Sequence, residues 1–150
     1  MGTVRVTISR QESDFHFQAK NEAGLSVDMD NASSHEDGIG NGASPMQLVL
    51  VALGGCSGID VVSILKKGRQ EIRRFAMEVV GEKPDNVAPS VYSDVFVHYV
   101  LEGDLDPVRV RRAIELSQEK YCSVAAMLNQ SVNIRYDFEL NGEQFAESTG

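Results

Sequence analysis

Ser44–Arg69 reads SPMQLVLVALGGCSGIDVVSILKKGR, and the interpretation of this stretch decides the fold. Ser44 followed by Pro45 is a helix start: a serine N-cap accepts an orphan backbone N–H, and proline at the first helical position gives up a donor that has no partner there. Lys66, Lys67 and Arg69 fall near the far end, where positive charge offsets the helix dipole. The 20 residues from Met46 to Leu65 are mostly apolar and have the length of a bilayer span. Asp60 argues against a membrane, because an acid at the centre of such a helix costs about 2.5–3.5 kcal/mol, and Ser57, Gly54, Gly55 and Gly58 weaken insertion further. A helix apolar on every side is then expected to be a buried central helix. Gly54-Gly55 costs about 1 kcal/mol per residue relative to alanine, which predicts close approach by another element at that point. Cys56 follows directly.

Outward from this helix, the N-terminal side alternates. Val4, Val6 and Ile8 interleave with polar residues, Phe15 and Phe17 open a second run, and Leu25, Val27 and Met29 continue it after a turn at Glu22-Ala23-Gly24. This pattern predicts an antiparallel meander with one apolar face. Asp30–Ala43 contains a single large apolar residue, Ile39, among many Asn, Ser, Asp and Gly, and reads as a long mobile loop of the kind that serves as a lid or binding segment. His35-Glu36-Asp37 lies within it as a solvated run, because adjacent side chains converge poorly on a metal.

On the C-terminal side, Phe75, Met77 and Val79 alternate, and Val91–Leu101 forms a second strand after a turn region at Pro84–Pro89, which together predict a hairpin. Asp106-Pro107 repeats the cap-plus-proline signal. Val110, Ile114, Ser117, Tyr121, Val124 and Leu128 then fall on one stripe, predicting a long amphipathic helix, straight or kinked, that carries Cys122. Val132, Ile134, Tyr136, Phe138 and Leu140 form a last strand before a polar tail at 143–150. The element order is α+β, a single domain over 1–150, and a helix apolar all round calls for a second chain to cover it, so a homodimer is expected.

The 150 residues carry 14 Lys+Arg against 22 Asp+Glu, a formal charge of −8, with 42% hydrophobic and 24% charged residues. A chain of this length buries about 70% of its unfolded surface, so disordered and fibrous classes are excluded. The negative field disfavours nucleic acid, and Lys66, Lys67, Arg69, Arg73 and Arg74 read as a solvated helix end. Met1–Arg10 has no continuous apolar run, so no secretory signal is read there, and the expected compartment is the cytoplasm.

The two cysteines, Cys56 and Cys122, are too few for a disulfide scaffold and form no C-x-x-C motif. Buried structural thiols are the commonest reading of such residues. A redox pair competes with it: one thiolate attacks a peroxide oxygen, and a second thiol condenses with the resulting sulfenic acid. That chemistry requires Cα atoms within about 7 Å of one another. Asp60, at i+4 from Cys56, opposes ionisation unless an arginine neutralises it or it points elsewhere. A zinc site finds no ligand-like spacing among the two cysteines and His16, His35 and His98, and acyl transfer finds no Cys-His signature, so neither a metal nor a cofactor is expected.

Three segments together resemble the OsmC-like family, which includes the organic hydroperoxide resistance proteins. They are Ser44-Pro45-Met46-Gln47-Leu48, the run Ala52–Leu65 around Gly54-Gly55-Cys56-Ser57-Gly58-Ile59-Asp60, and Lys120-Tyr121-Cys122-Ser123-Val124. The resemblance covers nearly the whole chain by element order. It implies an intertwined homodimer with antiparallel sheets packed around the central helices, and reduction of organic hydroperoxides in oxidative stress defence. It further implies that Cys56 is the peroxidatic thiol and Cys122 the resolving one, with a dithiol reductant such as a lipoylated protein. The family's peroxidase members carry a glutamate ten residues before the first cysteine, where this chain has Met46 with Gln47 beside it, and Arg10 matches their activating arginine only loosely. Arg10, Gln47 and Asp60 are therefore the supporting residues to place. The alternative function is a non-catalytic dimer that binds a small apolar ligand or a sulfur species.

Overall fold

The computed structural model describes residues 1–147, which form two compact units, Met1–Val49 and Leu50 onward. In the first unit, β1 (Val6–Arg10), β2 (Phe17–Asn21) and β3 (Ser26–Met29) form the expected antiparallel meander, with Ile8 opposite Ala19 and Phe17 opposite Met29. The turn between β2 and β3 places Gly24 at φ +82°, a conformation that glycine adopts without a Cβ penalty. Its apolar residues are not enclosed: Val6, Ile8, Phe15, Leu25 and Val27 are all exposed.

The segment after β3 departs from the open loop its composition suggests. Asp30 is buried, and its carboxylate accepts the Asn31 N–H at 2.7 Å, the Asn41 N–H at 2.9 Å and the Asn41 side-chain amide at 3.0 Å, with His35 Nε2 at 2.9 Å. Burial pushes the carboxyl up, but the two Asn41 bonds, the Asn31 bond and the His35 charge outweigh it and hold the group down at about 2. A polar segment that cannot form an apolar core is thus gathered around one carboxylate, and His35 is part of that knot rather than of a solvated run.

The long helix, α1 (Pro45–Lys67), starts with a reciprocal cap: Gln47 N–H donates to Ser44 Oγ at 3.1 Å, and Gln47 Oε1 accepts the Ser44 N–H at 2.9 Å. It is long and apolar enough to cross a membrane by length and composition, with a mean hydropathy of 2.2 over an 18-residue stretch. Its burial is narrower than all-round apolarity suggests. Leu53, Gly54, Ser57, Val61 and Leu65 are buried as one stripe, whereas Val51 and Ile59 are exposed.

In the second unit α1 packs against β4 (Glu71–Glu82) and β5 (Asp94–Asp104), an antiparallel hairpin. The close approach expected at Gly54-Gly55 occurs at Gly54 but not at Gly55, and it recurs at Gly58. A Cβ on Gly54 would lie 3.1 Å from both Met77 Cε and Val79 Cγ2, and one on Gly58 3.4 Å from Met77 Sδ; one on Gly55 would meet no other element within 4 Å among the described residues. One helical turn separates the two contact positions, so they share the face toward the sheet. Strict alternation along β5 buries Val95, Val97, Tyr99 and Leu101.

The remaining strands, β6 (Asn133–Leu140) and β7 (Glu143–Phe145), complete the sheet in the order β4-β5-β6-β7. The fold is α+β, with one correction: the second sheet is mixed, because β5 and β6 run parallel. A parallel pair needs a crossover, and the helical segment between these strands supplies it. That segment is not one helix. It consists of α2 (Pro107–Leu116), a π-helical turn (Ser117–Tyr121), a break at Cys122 and α3 (Ser123–Leu128). Glu143–Phe145, expected within a polar tail, pairs with β6, and Phe145 stacks on Phe138 at 4.7 Å; the end of the expected tail, 148–150, lies outside the described residues.

Candidate functional site

The break in the α2–α3 segment positions Cys122. Its backbone is extended (φ −74°, ψ 105°), which makes it the N-cap of α3, and its Sγ accepts the Ala125 N–H at 3.3 Å. A sulfur in the place of the usual serine or aspartate oxygen takes up an orphan helix donor. Cys56 projects from α1, and Asp60 follows one turn later on the same face. The Cys56 and Cys122 sulfurs and an Asp60 carboxylate oxygen all lie within 4.8 Å of one another. Both cysteines are free thiols, Cys122 buried and Cys56 half-buried. Two sulfurs 66 positions apart in sequence therefore meet, and Asp60 points toward them rather than away.

Cys122 is strongly disfavoured as a thiolate. Burial pushes its thiol up, the Ala125 N–H pulls it down, and Cys56 and the Asp60 charge push it further, to about 11 against an ordinary 9.0. Among the described residues of this unit, no lysine or arginine forms an ion pair with Asp60. The neutralising cation that sequence reasoning required beside Asp60 is thus not supplied from within the unit.

Behind the cluster lies a chain of interior hydroxyls that sequence reasoning missed. Ser57 and Ser117 are fully buried, and so is Tyr99. Gln118 Nε2 donates to Tyr99 Oη at 2.7 Å, Tyr99 bonds Ser57 Oγ, Ser57 Oγ is 2.8 Å from Ser117 Oγ, and Ser117 Oγ donates to Asp60 Oδ2 at 3.1 Å. Each hydroxyl carries one proton, so an amide donor at one end and a carboxylate at the other set a single direction for the chain. The signal in the sequence was Ser117 on an otherwise apolar stripe and Tyr99 at a buried strand position, since a polar atom on a core face needs a partner. The π-helical turn brings Ser117 and Gln118 inward together.

The second unit holds two depressions, one of them lined by Asp60. Asp60, Ser63, Ile64, Lys67, Leu116 and Tyr121 line a cavity of about 510 Å³. A groove of about 770 Å³ runs along α1 past Gly55, Gly58, Ile59 and Val62 to Phe75 and Met77, with mostly apolar walls. Of the supporting residues expected from sequence, Asp60 lies in the cluster. Gln47 is engaged in the α1 cap, and Arg10 ends β1 in the first unit, opposite Phe17, with no ion pair among the described residues of that unit. Met46 occupies the first turn of α1.

With this geometry, residues 35–137 match the family model described as OsmC-like protein. Protein YhfA of Escherichia coli is 47% identical over 98 residues, 65% of this chain and 72% of that protein. The crystal structure of a hypothetical protein from Aquifex aeolicus VF5 superposes with a TM-score of 0.81 at 32% identity, covering 94% of this chain and 98% of that one. A more distant solved structure, an organic hydroperoxide resistance protein OsmC from Legionella pneumophila, shares the fold with a TM-score of 0.65 at 13% identity, over 93% of this chain and 98% of that one. By the extent of the family match and the paired cysteine elements, this chain belongs to the OsmC-like protein family.

Proposed function

We propose that the protein is a thiol-dependent peroxidase that reduces organic hydroperoxides in oxidative stress defence. The observation that carries this reading is the approach of two free thiols from separate helical segments to within 4.8 Å. In the first step the Cys56 thiolate attacks the distal peroxide oxygen. The O–O bond breaks, the leaving alkoxide takes a proton as the alcohol, and Cys56 becomes a sulfenic acid. Cys122 then attacks that sulfur, water leaves, and a Cys56–Cys122 disulfide forms. A dithiol, such as a lipoyl group on a partner protein, returns both sulfurs to thiols by exchange. The assignment of Cys56 as attacker follows from access: it is half-buried, whereas Cys122 is buried and held protonated. The apolar groove along α1 offers space for the hydrocarbon part of a hydroperoxide. An organic hydroperoxide resistance protein OsmC from Legionella pneumophila has the same fold, which supports the peroxidase reading for the family.

The same proposal includes a homodimer acting in the cytoplasm, without nucleic acid or membrane. The exposed apolar residues of α1, Val51 and Ile59, and of the N-terminal sheet are the surfaces a second copy would cover. Turnover of an alkyl hydroperoxide with a dithiol reductant tests the activity. It is expected for the unmutated protein, lost in Cys56→Ser, and replaced in Cys122→Ser by a single oxidation that stops at sulfenic acid. Turnover by Cys56→Ser at the unmutated rate contradicts the assignment, and absence of turnover in the unmutated protein contradicts the function.

A further inference from the structure

We infer that Cys56, Cys122 and Asp60, with both thiols reduced, form a binding site for one thiophilic divalent cation of the Zn²⁺ class. The ligands are the two Sγ atoms and one Asp60 carboxylate oxygen. The three donor atoms already lie within 4.8 Å of one another. A tetrahedral zinc with about 2.3 Å bonds to sulfur sets its sulfurs about 3.8 Å apart, so rotamer adjustments close the set without moving a helix. Two sulfurs and one oxygen also match the ligand softness that this class of ion selects.

Three further observations support the site. Ser117 holds Asp60 Oδ2 by a hydrogen bond, which restrains the carboxylate, and the Ala125 N–H contacts Cys122 Sγ; both are the outer contacts that orient metal ligands. Among the described residues of this unit, no lysine or arginine forms an ion pair with Asp60, so its carboxylate is not already taken up by a protein cation. Finally, the cavity of about 510 Å³ that Asp60 lines gives access and room for a water at the fourth position. Binding involves no electron transfer: the ion displaces one proton from each thiol, and both leave to solvent. A Cys56–Cys122 disulfide has no thiolates to offer, so metal occupancy and oxidation of the pair exclude each other. The site needs no turnover of peroxide to exist.

Co²⁺ is the probe, added to the full-length chain after reduction and removal of all metal. The expected result is one Co²⁺ per chain with a near-ultraviolet thiolate-to-cobalt charge-transfer band, displaced by one equivalent of Zn²⁺. Forming the Cys56–Cys122 disulfide with a thiol oxidant should abolish the band, and reduction should restore it, which requires no variant to fold. Cys56→Ser should lose most of the band's intensity, Asp60→Asn should weaken binding while keeping the band, and Ser117→Ala should weaken it by about 10–100-fold. Absence of a charge-transfer band, or Co²⁺ binding unchanged by disulfide formation, overturns the inference. Peroxide turnover is scored separately on the metal-free protein, so loss of one reading leaves the other standing.

Discussion

Ser117 donates its hydroxyl proton to the Asp60 carboxylate at 3.1 Å, and this bond joins the interior hydroxyl chain to the cysteine cluster. Ser117 is fully buried and also bonds Ser57 Oγ at 2.8 Å. Ser117→Ala removes a donor from Asp60 and an acceptor from Ser57, so the cost is that of unsatisfied buried groups, about 1–3 kcal/mol. Urea denaturation followed by circular dichroism should show the midpoint falling with an unchanged m value. A midpoint equal to that of the unmutated protein means that water or a neighbour replaces the bond.

The raised Cys122 thiol gives a pH signature. Its folded value of about 11 lies above the ordinary 9.0, so the stabilisation it reports is present below pH 9 and is lost as pH rises from 9 through 11. Alkylation of Cys122 with a small neutral reagent, resolved by peptide mass spectrometry, should be slower in the folded than in the urea-unfolded protein at pH 8. The folded rate should keep rising about tenfold per pH unit beyond pH 9, where the unfolded rate levels off. Equal folded and unfolded profiles contradict the burial argument.

Asp30 gives the opposite sign. Its carboxyl is held at about 2 against an ordinary 3.8, so the bonds around it are intact above pH 3.8 and are lost as pH falls from 3.8 through about 2. Hydrogen exchange at the Asn31 and Asn41 amides, both bonded to this carboxylate, should be protected at pH 5. Asp30→Asn should speed exchange at both amides at that pH. Unchanged exchange in the variant indicates that the segment is held by other bonds.

Asp106 caps α2 through a 2.9 Å bond from the Val108 N–H, with Pro107 beside it. Asp106→Ala should cost about 0.5–2 kcal/mol of stability, read as a lower denaturation midpoint, and Asp106→Ser should recover most of it. Failure of serine to rescue indicates that the loss comes from elsewhere in the turn.

The α+β class, the start of α1 at Ser44-Pro45, the N-terminal meander and the β4–β5 hairpin were legible because periodicity and capping are local properties of a sequence. A kink in the second helix was allowed for, but the position of the break at Cys122 was not legible. Apolar spacing continues across Ser117–Tyr121, and only the need of Ser117 and Gln118 for interior partners, Ser57 and Tyr99, explains the π-helical turn. The parallel β5–β6 pairing was likewise hidden, since alternation along a strand does not encode its direction. Both cysteines were identifiable from motif and context. The approach of Asp60 to the two sulfurs depended on where that break places Cys122, and no spacing rule carries that information.

The most direct test of the central claim is the thiol count after exposure to an organic hydroperoxide. Reduced, metal-free protein treated with about one equivalent per chain should lose two thiols per chain and yield a single disulfide-linked peptide pair containing Cys56 and Cys122, released by reduction. Retention of both thiols, or oxidation without that linked pair, contradicts the claim that these two sulfurs act together on a peroxide.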